Sequence, residues 1–488
     1  MNKRSIISAI GMTAAITCTT AAAEPKHPNV ILIAVDDLND WVGCLNGHPQ
    51  TITPNIDALA KRGVLFSNAH CGATICGPSR TSLLFGIRSA RSGIYSNNQD
   101  MRDSSVLKNA VTMPQYFQRN GYNATMYGKV FDLTDPDPCS WDDYWPRKGR
   151  WDKLKGDPQK IKRAIARIKK KQAGYANWTA PPKLKPGAKI HTGGPVKGGD
   201  ETMTDFQTVT MAEKYLKKQH NKPFFLAVGI FKPHTGWNVP KKYHDKFPAD
   251  KIKLAPIKED DLNDVPSINR QMTYIDGLYE KAKKEDKLRK CTSSYLACVN
   301  FADTMIGKLL NALKKSRYAD NTIIILWGDN GYHVGSKKRI HKGTLWERST
   351  RIPLIFAGPG IPKGEVIKQA VDSVNVYPTI VSLCGLKAKS GIDGINMLPL
   401  MKNPAMKWFH PAITTQLGKH HAVRSNNFRY IRYSDGSEEL YDHKNDPNEW
   451  NNLAGNSKYS NIKNKLSRYV PSTKDMPDVP FALPKSGE

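Results

Sequence analysis

The residues with the most specific chemistry in this chain are 76–80, Cys-Gly-Pro-Ser-Arg. The Cys76 thiol is a group that can be oxidised. Pro78 has a fixed φ and no backbone N–H, so we expect a helix to start within 79–86, where the Ser79 hydroxyl can cap it and Arg80 lies in the first turn. Cys76 then lies just ahead of a helix N-terminus, where the helix dipole favours an anion. A structural cysteine beside a proline turn is the simpler alternative.

Two pairs of oxygen-bearing side chains follow predicted buried strands. Asp36 and Asp37 come directly after a continuous apolar run, and Asp329 and Asn330 follow a similar run after one glycine. The carboxyl ends of parallel strands lie at one edge of a sheet, where open α/β sheets place their sites. Each pair alone would also suit an ordinary turn. Both pairs together favour a site for Ca²⁺, which takes six or more oxygen ligands.

Three further side chains, Lys129, His234 and Lys342, occupy loop positions after predicted strands. Fixed cations and a proton donor suit the cleavage of an anionic ester, because negative charge develops on the non-bridging oxygens and on the leaving alkoxide. Taken singly, each would also fit a surface lysine or a structural histidine. Together with the cysteine and the carboxylates, however, these three residues predict a catalytic site.

The elements that must position these residues alternate between strands and helices over some 360 residues. The apolar, β-branched runs that predict strands are 30–35, 64–69, 123–127, 224–230, 322–327 and 353–357. We therefore predict an α/β fold with a doubly wound, mostly parallel sheet. After about residue 395 the pattern changes. Alternation over 428–433, a turn at 435–436 and a return over 439–441 predict an antiparallel hairpin in a smaller C-terminal α+β subdomain.

The N-terminus has the features of a secretion signal. Two basic residues, Lys3 and Arg4, precede a short apolar stretch, and a small-residue cleavage pattern ends at Ala23. A lipid anchor at Cys18 fits less well, since the preceding residues form a poor lipobox. The protein is therefore expected to be exported, to the periplasm or beyond, and no apolar run is long enough to span a membrane. The predicted division is a signal peptide at 1–23, a catalytic domain at 24–395 with a lid or insertion at 132–200, and a C-terminal subdomain at 396–488.

The chain is strongly basic. It has 73 Lys and Arg against 44 Asp and Glu, a formal net charge of +29. Such an excess predicts an acidic partner: a sulfated or uronate-rich polysaccharide, a nucleic acid or an anionic surface. A nucleic acid is the least favoured of these, because the protein is expected to be exported and has no recognisable reader motif. Lysine-rich segments such as 160–171 also suit solvated helix faces.

Seven cysteines remain after removal of the predicted signal peptide, and an odd number in an exported protein leaves at least one unpaired. Cys76 is the natural unpaired residue if it is converted to another group. The other six can pair in 15 ways, or they stay reduced and buried. The sequence does not choose between these alternatives.

Residues 76–80 match the formylglycine signature Cys-x-Pro-Ser-Arg, and the chain from 29 to roughly 455 resembles the type I sulfatases. Gly-Lys-Val-Phe at 128–131, Phe-Lys-Pro-His at 231–234 and Lys-Gly-Thr-Leu-Trp-Glu-Arg at 342–348 are most similar to iduronate-2-sulfatase and its bacterial relatives. The resemblance implies an alkaline-phosphatase-like fold. It also implies an activating enzyme that oxidises the cysteine to 3-oxoalanine (formylglycine), whose hydrate attacks sulfur.

The resemblance also implies a role for each matching residue. Arg80 steadies the aldehyde hydrate, Lys129 and Lys342 hold the sulfate oxygens, and His234 protonates the leaving oxygen. The Ca²⁺ ligands that it implies are Asp36, Asp37, Asp329, Asn330 and the modified Cys76.

The chain departs from the family pattern in several places, among them Phe85, where the family prefers threonine. After Gly-Lys-Val-Phe the relatives carry a histidine that touches the hydrate, and this chain has Asp132 there. Asp132 could act as the base that collapses the sulfated intermediate, or another histidine could substitute. His333 is the candidate histidine.

These observations predict an exported sulfuric ester hydrolase that removes sulfate from a sulfated sugar of a polysaccharide, such as a glycosaminoglycan, or of its oligosaccharides. A phosphatase or phosphonate monoester hydrolase on the same fold is one alternative, which relative turnover of an aryl sulfate and an aryl phosphate would separate. A non-catalytic polyanion-binding protein is the other. It would bind heparin-like chains equally well with Cys76→Ala.

Overall fold

The computed structural model describes residues 27–132, 137–145, 190, 192–272 and 277–480. The predicted signal peptide and most of the predicted insertion at 132–200 lie outside the described residues. The described strands are β1 Asn29–Val35, β2 Val64–Phe66, β3 Ala69–His70, β4 Asn123–Gly128, β5 Asp143–Trp145, β6 Gly194–Val196, β7 Phe224–Ile230, β8 Asn238–Pro240, β9 Thr322–Gly328, β10 His333–Val334, β11 Ile340–His341, β12 Leu354–Ala357, β13 Glu365–Ile367, β14 Val371–Asp372, β15 Ala412–Gln416, β16 His420–Arg424, β17 Phe428–Arg432 and β18 Glu438–Asp442. The described α-helices are α1 Pro54–Lys61, α2 Cys76–Phe85, α3 Ser89–Ser92, α4 Met113–Arg119, α5 Thr204–Lys217, α6 Lys241–His244, α7 Ser267–Met272, α8 Leu278–Lys284, α9 Leu288–Lys314, α10 Glu347–Thr350, α11 Val376–Leu383, α12 Leu398–Lys402 and α13 Ser460–Ser467.

An eight-stranded sheet forms the centre of the fold, in the order β13-β2-β12-β9-β1-β7-β4-β5. The run from β9 to β5 is parallel throughout, whereas β12 is antiparallel to both of its neighbours, β9 and β2. The predicted mostly parallel α/β fold is confirmed. Because β9, β1, β7 and β4 are adjacent and parallel, their carboxyl ends lie along one edge of the sheet.

Helices cover both faces of this sheet. Along β1, Ile31 and Ile33 pack in the core that contains α5 and α9, while Val30 and Leu32 pack in the core that contains α2, α4 and α11. All seven residues of β1 are buried. A strand buried on both faces has no polar alternation, which explains its continuous apolar run. No helix in the described ranges is long and apolar enough to cross a membrane.

Helix α2 begins at Cys76, three residues earlier than the sequence predicted. Pro78 lies in the first turn, where its missing N–H removes no hydrogen bond within the helix. Ser79 does not cap the helix, because its Oγ donates to the Asp329 carbonyl at 2.5 Å. The helix ends at Phe85, and Gly86 after it adopts the left-handed conformation with a φ of 67°. Cys76 is therefore the first residue of the helix rather than its predecessor.

The predicted C-terminal hairpin is confirmed as part of a four-stranded antiparallel sheet, β15-β16-β17-β18. Arg432 in β17 pairs with Glu438 in β18, and the turn between them contains Gly436 with a φ of 88°. The sheet begins at Ala412, within the predicted subdomain 396–488. The seven described cysteines are all free thiols, which agrees with the reduced alternative.

His420 in β16 is a buried histidine that the fold holds neutral. Its Nδ1 accepts a hydrogen bond of 3.2 Å from the Ser434 backbone N–H, and burial lowers its pKa from 6.5 to about 4. The contribution of His420 to the free energy of unfolding is therefore fully present above pH 6.5. It is lost as the pH falls towards 4, because the unfolded chain binds the proton before the folded one does. Between pH 7.5 and pH 5 we expect this residue alone to cost about 2 kcal/mol.

Urea unfolding of the wild type and of His420→Gln at both pH values measures this contribution. The glutamine can still accept from Ser434 but does not titrate, so the variant should lose about 2 kcal/mol less on acidification. Equal losses in the two proteins would contradict the assignment.

Candidate active site

The oxygen-bearing side chains predicted from the strand ends meet at the carboxyl edge of the sheet. The Asp37 backbone N–H donates to Asp329 Oδ1 at 2.9 Å, and Asn330 Nδ2 donates to Asp37 Oδ1 at 2.7 Å. These residues and Asp36 are fully buried. Asp36, Asp37, Asp329 and Cys76 each offer a ligand atom, and the four atoms lie within 4.8 Å of one another. We call these residues and Asn330 the carboxylate cluster.

Two features of the carboxylate cluster fit a hard cation. Asp37 Oδ2 and Asn330 Oδ1 are buried and have no hydrogen-bond partner among the described residues, and such orphaned atoms are costly. Burial and the charges of Asp36 and Asp37 raise the pKa of Asp329 to about 7, against the opposing effect of nearby cations. A bound cation would satisfy the two oxygens and allow all three carboxylates to ionise together. Carboxylate and amide oxygens are ligands that Ca²⁺ prefers.

Cys76 contacts both a carboxylate and a cation. Its S–H donates to Asp36 Oδ1 at 3.1 Å, and its sulfur accepts from Lys342 Nζ at 2.7 Å. Burial and the charge of Asp36 raise the pKa of the thiol well above its ordinary value, although Lys129 and Lys342 oppose this. A protonated thiol is a poor nucleophile. The surroundings therefore suit a cysteine that is first converted to another group.

Two lysines, Lys129 with a side chain 12% exposed and the buried Lys342, reach the carboxylate cluster from different loops. Lys129, which follows β4, places Nζ 2.6 Å from Asp36 Oδ2 and 2.8 Å from Asp132 Oδ1. Lys342, which follows β11, donates to Asp37 Oδ1. Burial alone would lower the pKa of both lysines, but the neighbouring carboxylates outweigh it and raise both. The two ammonium groups are thus fixed positive charges.

Arg80 ties helix α2 to the strand ends. Its Nε donates to Asp329 Oδ2 at 2.8 Å, its Nη1 donates to the Val130 carbonyl at 3.1 Å, and its Nη2 lies 3.6 Å from Asp36 Oδ1. Burial would raise the pKa of Asp36, but the cations led by Lys129 hold it well below its ordinary value. Asp36 is therefore an ionised, fully buried carboxylate.

His234 lies four residues after the end of β7 and faces the same cluster. Its Nδ1 bonds to the Thr235 carbonyl at 2.7 Å, and its Nε2 is 3.9 Å from Asp37 Oδ2. Because a carbonyl only accepts, Nδ1 carries a hydrogen and Nε2 is the atom that exchanges a proton. The His234 side chain is 27% exposed, whereas that of Asp37 is 1% exposed. Burial and the nearby lysines lower the pKa of His234.

The structure brings Asp132 to the cluster but not His333. His333 bonds through Nε2 to Thr344 Oγ1 at 2.8 Å and through Nδ1 to the Ser336 carbonyl at 3.1 Å. Burial lowers the pKa of His333 to about 3. In the described part of the chain both of its nitrogens are engaged within the β10–β11 hairpin region. Asp132 instead binds Lys129, and its Oδ2 is buried with no hydrogen-bond partner there.

Two residues that support the site carry no signal in the sequence. Asn97 Oδ1 accepts from the Gly77 backbone N–H at 2.8 Å, which fixes the start of α2 beside Cys76. Tyr295, in the middle of α9, donates its hydroxyl to the Asp37 carbonyl at 2.8 Å. Neither belongs to a motif, and Tyr295 is indistinguishable in sequence from a core residue of its helix.

The comparisons with known proteins agree with this geometry. The profile of the Sulfatase family matches residues 28–386. The chain belongs to the sulfatase family. A second profile, of the C-terminal region of N-sulphoglucosamine sulphohydrolase, matches residues 335–475 of this sulfatase. The resemblance noted in the sequence is thereby confirmed, and the protein is a sulfuric ester hydrolase.

Individual relatives support the assignment. This sulfatase is 37% identical over 470 residues to a sulfatase of Formosa agariphila, covering 92% of this chain and 87% of the relative. It is 30% identical over 437 residues to iduronate 2-sulfatase of Homo sapiens, covering 78% of this chain and 72% of the relative. Its fold is similar to that of a phosphonate monoester hydrolase from Silicibacter pomeroyi, with a TM-score of 0.72, 20% identity, and coverage of 90% and 94%.

Proposed function

We propose that this sulfatase is exported and removes sulfate from a sugar of a sulfated polysaccharide or its oligosaccharides, using a formylglycine at position 76 and Ca²⁺. The observation that carries the proposal is the pair of contacts made by the Cys76 sulfur. It accepts from Lys342 and donates to Asp36 inside a cluster of buried carboxylates and cations. A structural cysteine needs neither partner.

The raised pKa of the Cys76 thiol disfavours the thiolate as a nucleophile, and conversion of the residue would supply a different one. An activating enzyme and its oxidant would replace the sulfur by a carbonyl oxygen, and the hydrated aldehyde would supply the oxygen nucleophile that attacks sulfur. Asp36 and Lys342 would hold that hydrate, because they are the groups that contact the sulfur atom. Arg80 would steady it through the strand ends that its guanidinium joins.

The other polar groups match the needs of sulfate ester cleavage. Lys129 and Lys342 would hold the non-bridging oxygens, where negative charge develops in the transition state. His234 would first take up a second proton at Nε2, which the charges of Asp36 and Asp37 favour, and then deliver it to the leaving sugar oxygen. The bond from Nδ1 to the Thr235 carbonyl would orient the ring. Asp132 would take the place of the family histidine and accept a proton at Oδ2 when sulfate is released.

Asp36, Asp37, Asp329 and Asn330 would hold the Ca²⁺ ion, which would polarise the sulfate group. If so, adding Ca²⁺ to the chelator-treated protein should raise its stability by about 2.7 kcal/mol at 100 times the dissociation constant. Asn330→Ala removes one oxygen ligand, so the concentration that gives the half-maximal shift should rise about 10-fold for each 1.4 kcal/mol lost.

Differential scanning fluorimetry measures the calcium effect. Asn311→Ala, at an exposed asparagine of α9 outside the cluster, is the matched control and should respond like the wild type. A wild-type protein that ignores Ca²⁺, or an Asn330→Ala variant that responds like the control, would contradict the metal site.

Two observations support the proposed substrate class: the net charge of the chain and its similarity to a named relative. A net charge of +29 concentrates a polyanion near the surface, and the relative named iduronate 2-sulfatase points to a 2-O-sulfate on or beside a uronate. With the activating enzyme co-expressed, an aryl sulfate should turn over faster than the matching aryl phosphate. A disaccharide with a 2-O-sulfated uronate should likewise turn over faster than a 6-O-sulfated disaccharide. Faster phosphate turnover would overturn the proposal.

A further inference from the structure

A second polar cavity lies beside the carboxylate cluster, where the sheet edge meets the C-terminal subdomain. Its volume is about 430 Å³, within the usual range for small-ligand sites. Asp40, Arg348 and Arg351 line it from the larger domain, and Arg424 and His443 line it from the antiparallel sheet. No residue of the carboxylate cluster lines this cavity. We call it the arginine cavity.

The arginine cavity is close to the carboxylate cluster. Asp40 follows Asp37 by three residues, so their Cα atoms are at most about 11 Å apart. Gly331, which follows Asn330, packs directly on the backbone of Arg348: a Cβ on Gly331 would lie 2.2 Å from the Arg348 carbonyl oxygen. The backbone next to Asn330 of the cluster is therefore in direct contact with the backbone of Arg348, which lines the cavity.

The lining of the arginine cavity carries excess positive charge. Its cationic side chains are Lys337, Arg348, Arg351, Arg424 and Lys444, and its anionic side chains are Asp40, Glu347 and Glu449. The excess is two positive charges in a concave wall, which attracts anions more strongly than the same charges on a flat surface. An anionic group is therefore the expected ligand.

The arginines of the cavity also have N–H groups that are available to a ligand. Arg348 and Arg351 each place Nη1 on Asp40, and Arg424 places Nε 3.2 Å from Glu347 Oε2. Within the described ranges, Nη2 of each of the three arginines has no hydrogen bond. Guanidinium groups bind carboxylates and other oxyanions through such paired N–H donors. The carboxylates hold the arginines in place without consuming all of their donors.

Neutral amides complete the lining: Asn46, Asn68, Asn426, Asn427 and Asn448. Asn68 is bonded to His70 and to the Lys368 carbonyl, and Asn426 Oδ1 accepts from the Ala370 N–H, so Asn46, Asn427 and Asn448 are the amides that a ligand would meet. An amide both donates and accepts, as the hydroxyls of a sugar require. A cavity for a free inorganic anion would need few such groups. The combination of guanidinium and amide groups matches a sugar unit that carries an acidic substituent.

We propose that the arginine cavity is a second binding site for an acidic polysaccharide, which takes up a sugar unit bearing a sulfate or a carboxylate. This proposal rests on the proposed function in one respect: the polysaccharide bound in the arginine cavity is the substrate on which the carboxylate cluster acts. Binding in the cavity keeps the polymer at the enzyme while the cluster acts on another unit of it.

Affinity electrophoresis of the full chain tests binding without requiring turnover. Lys444→Glu changes an exposed lysine of the cavity, and Lys458→Glu makes the same charge change at an exposed lysine of the same subdomain outside it. In gels containing heparin, we expect Lys444→Glu to raise the dissociation constant at least about 5-fold over the control, which corresponds to about 1 kcal/mol. Gels containing unsulfated polygalacturonate show whether carboxylates alone suffice.

Kinetics supply the second measurement. Lys444→Glu should raise KM for a sulfated polysaccharide about 5-fold, by the same loss of binding, while kcat/KM for an aryl sulfate stays within twofold of wild type. Arg348→Gln should act in the same direction, and Lys444→Glu carries the test alone if that variant fails to fold. Equal behaviour of Lys444→Glu and Lys458→Glu in both gels would overturn the second site. If the wild-type protein, co-expressed with the activating enzyme, does not hydrolyse the aryl sulfate, the proposed function is wrong. The binding result from the gels would still hold.

Discussion

Cys76→Ala is expected to lower kcat for an aryl sulfate by about 10⁴-fold or more, as loss of a covalent nucleophile does in other hydrolases. The methyl group cannot be converted to an aldehyde, so the oxygen nucleophile would never form. The contacts with Asp36 and Lys342 would be lost at the same time. Steady-state turnover, measured after co-expression with the activating enzyme, gives the result.

Cys71→Ala is the matched control for this variant. Cys71 is also fully buried, and its sulfur lies 3.7 Å from the Ser349 carbonyl rather than on Asp36 or Lys342. Both substitutions remove one buried sulfur, so they should cost similar stability, but Cys71→Ala should keep activity within threefold of wild type. Comparable activity in the two variants would show that Cys76 is a structural cysteine.

Lys342→Ala is expected to lower kcat/KM by about 10²- to 10³-fold, the usual cost of removing one preorganised donor from a transition state. Lys342 contacts both the Cys76 sulfur and Asp37 Oδ1, so its charge is fixed where the sulfate oxygens would lie. The substitution removes this charge and leaves Asp37 with one partner fewer. Competition with inorganic sulfate should weaken in parallel, since the same ammonium would hold it.

Lys338→Ala separates this effect from a general loss of charge. Lys338 lies four residues earlier, on the other side of β11, and its ammonium pairs with Glu259 at 2.9 Å rather than with the cluster. We expect Lys338→Ala to stay within twofold of wild type. Retention of more than a tenth of the activity by Lys342→Ala would contradict its role in holding sulfate.

The parts of the fold that the sequence predicts well are those with a strong hydrophobic signal. Strands β1 and β9 are buried on both faces and therefore appear as continuous apolar runs. Once they are taken as parallel, their carboxyl ends must share an edge, and the meeting of Asp36, Asp37, Asp329 and Asn330 follows from that. The predicted start of α2 at Ser79 is wrong, because a proline is tolerated in the first turn of a helix and Pro78 lies in that turn.

Side-chain direction is what the sequence does not supply. His333 and Asp132 were both candidates for the missing family histidine, and only the pairing of β10 with β11 decides where His333 points. It packs towards Thr344 and Ser336, whereas Asp132 reaches Lys129. The support that Asn97 and Tyr295 give depends in the same way on contacts between distant parts of the chain.

Mass spectrometry of the peptide that spans residues 74–80 tests the central claim most directly. In protein co-expressed with the activating enzyme, we predict that Cys76 has lost its sulfur and gained a carbonyl oxygen, and that the converted fraction tracks aryl sulfate turnover between preparations. A fully unmodified thiol in a preparation that hydrolyses the aryl sulfate would contradict the account.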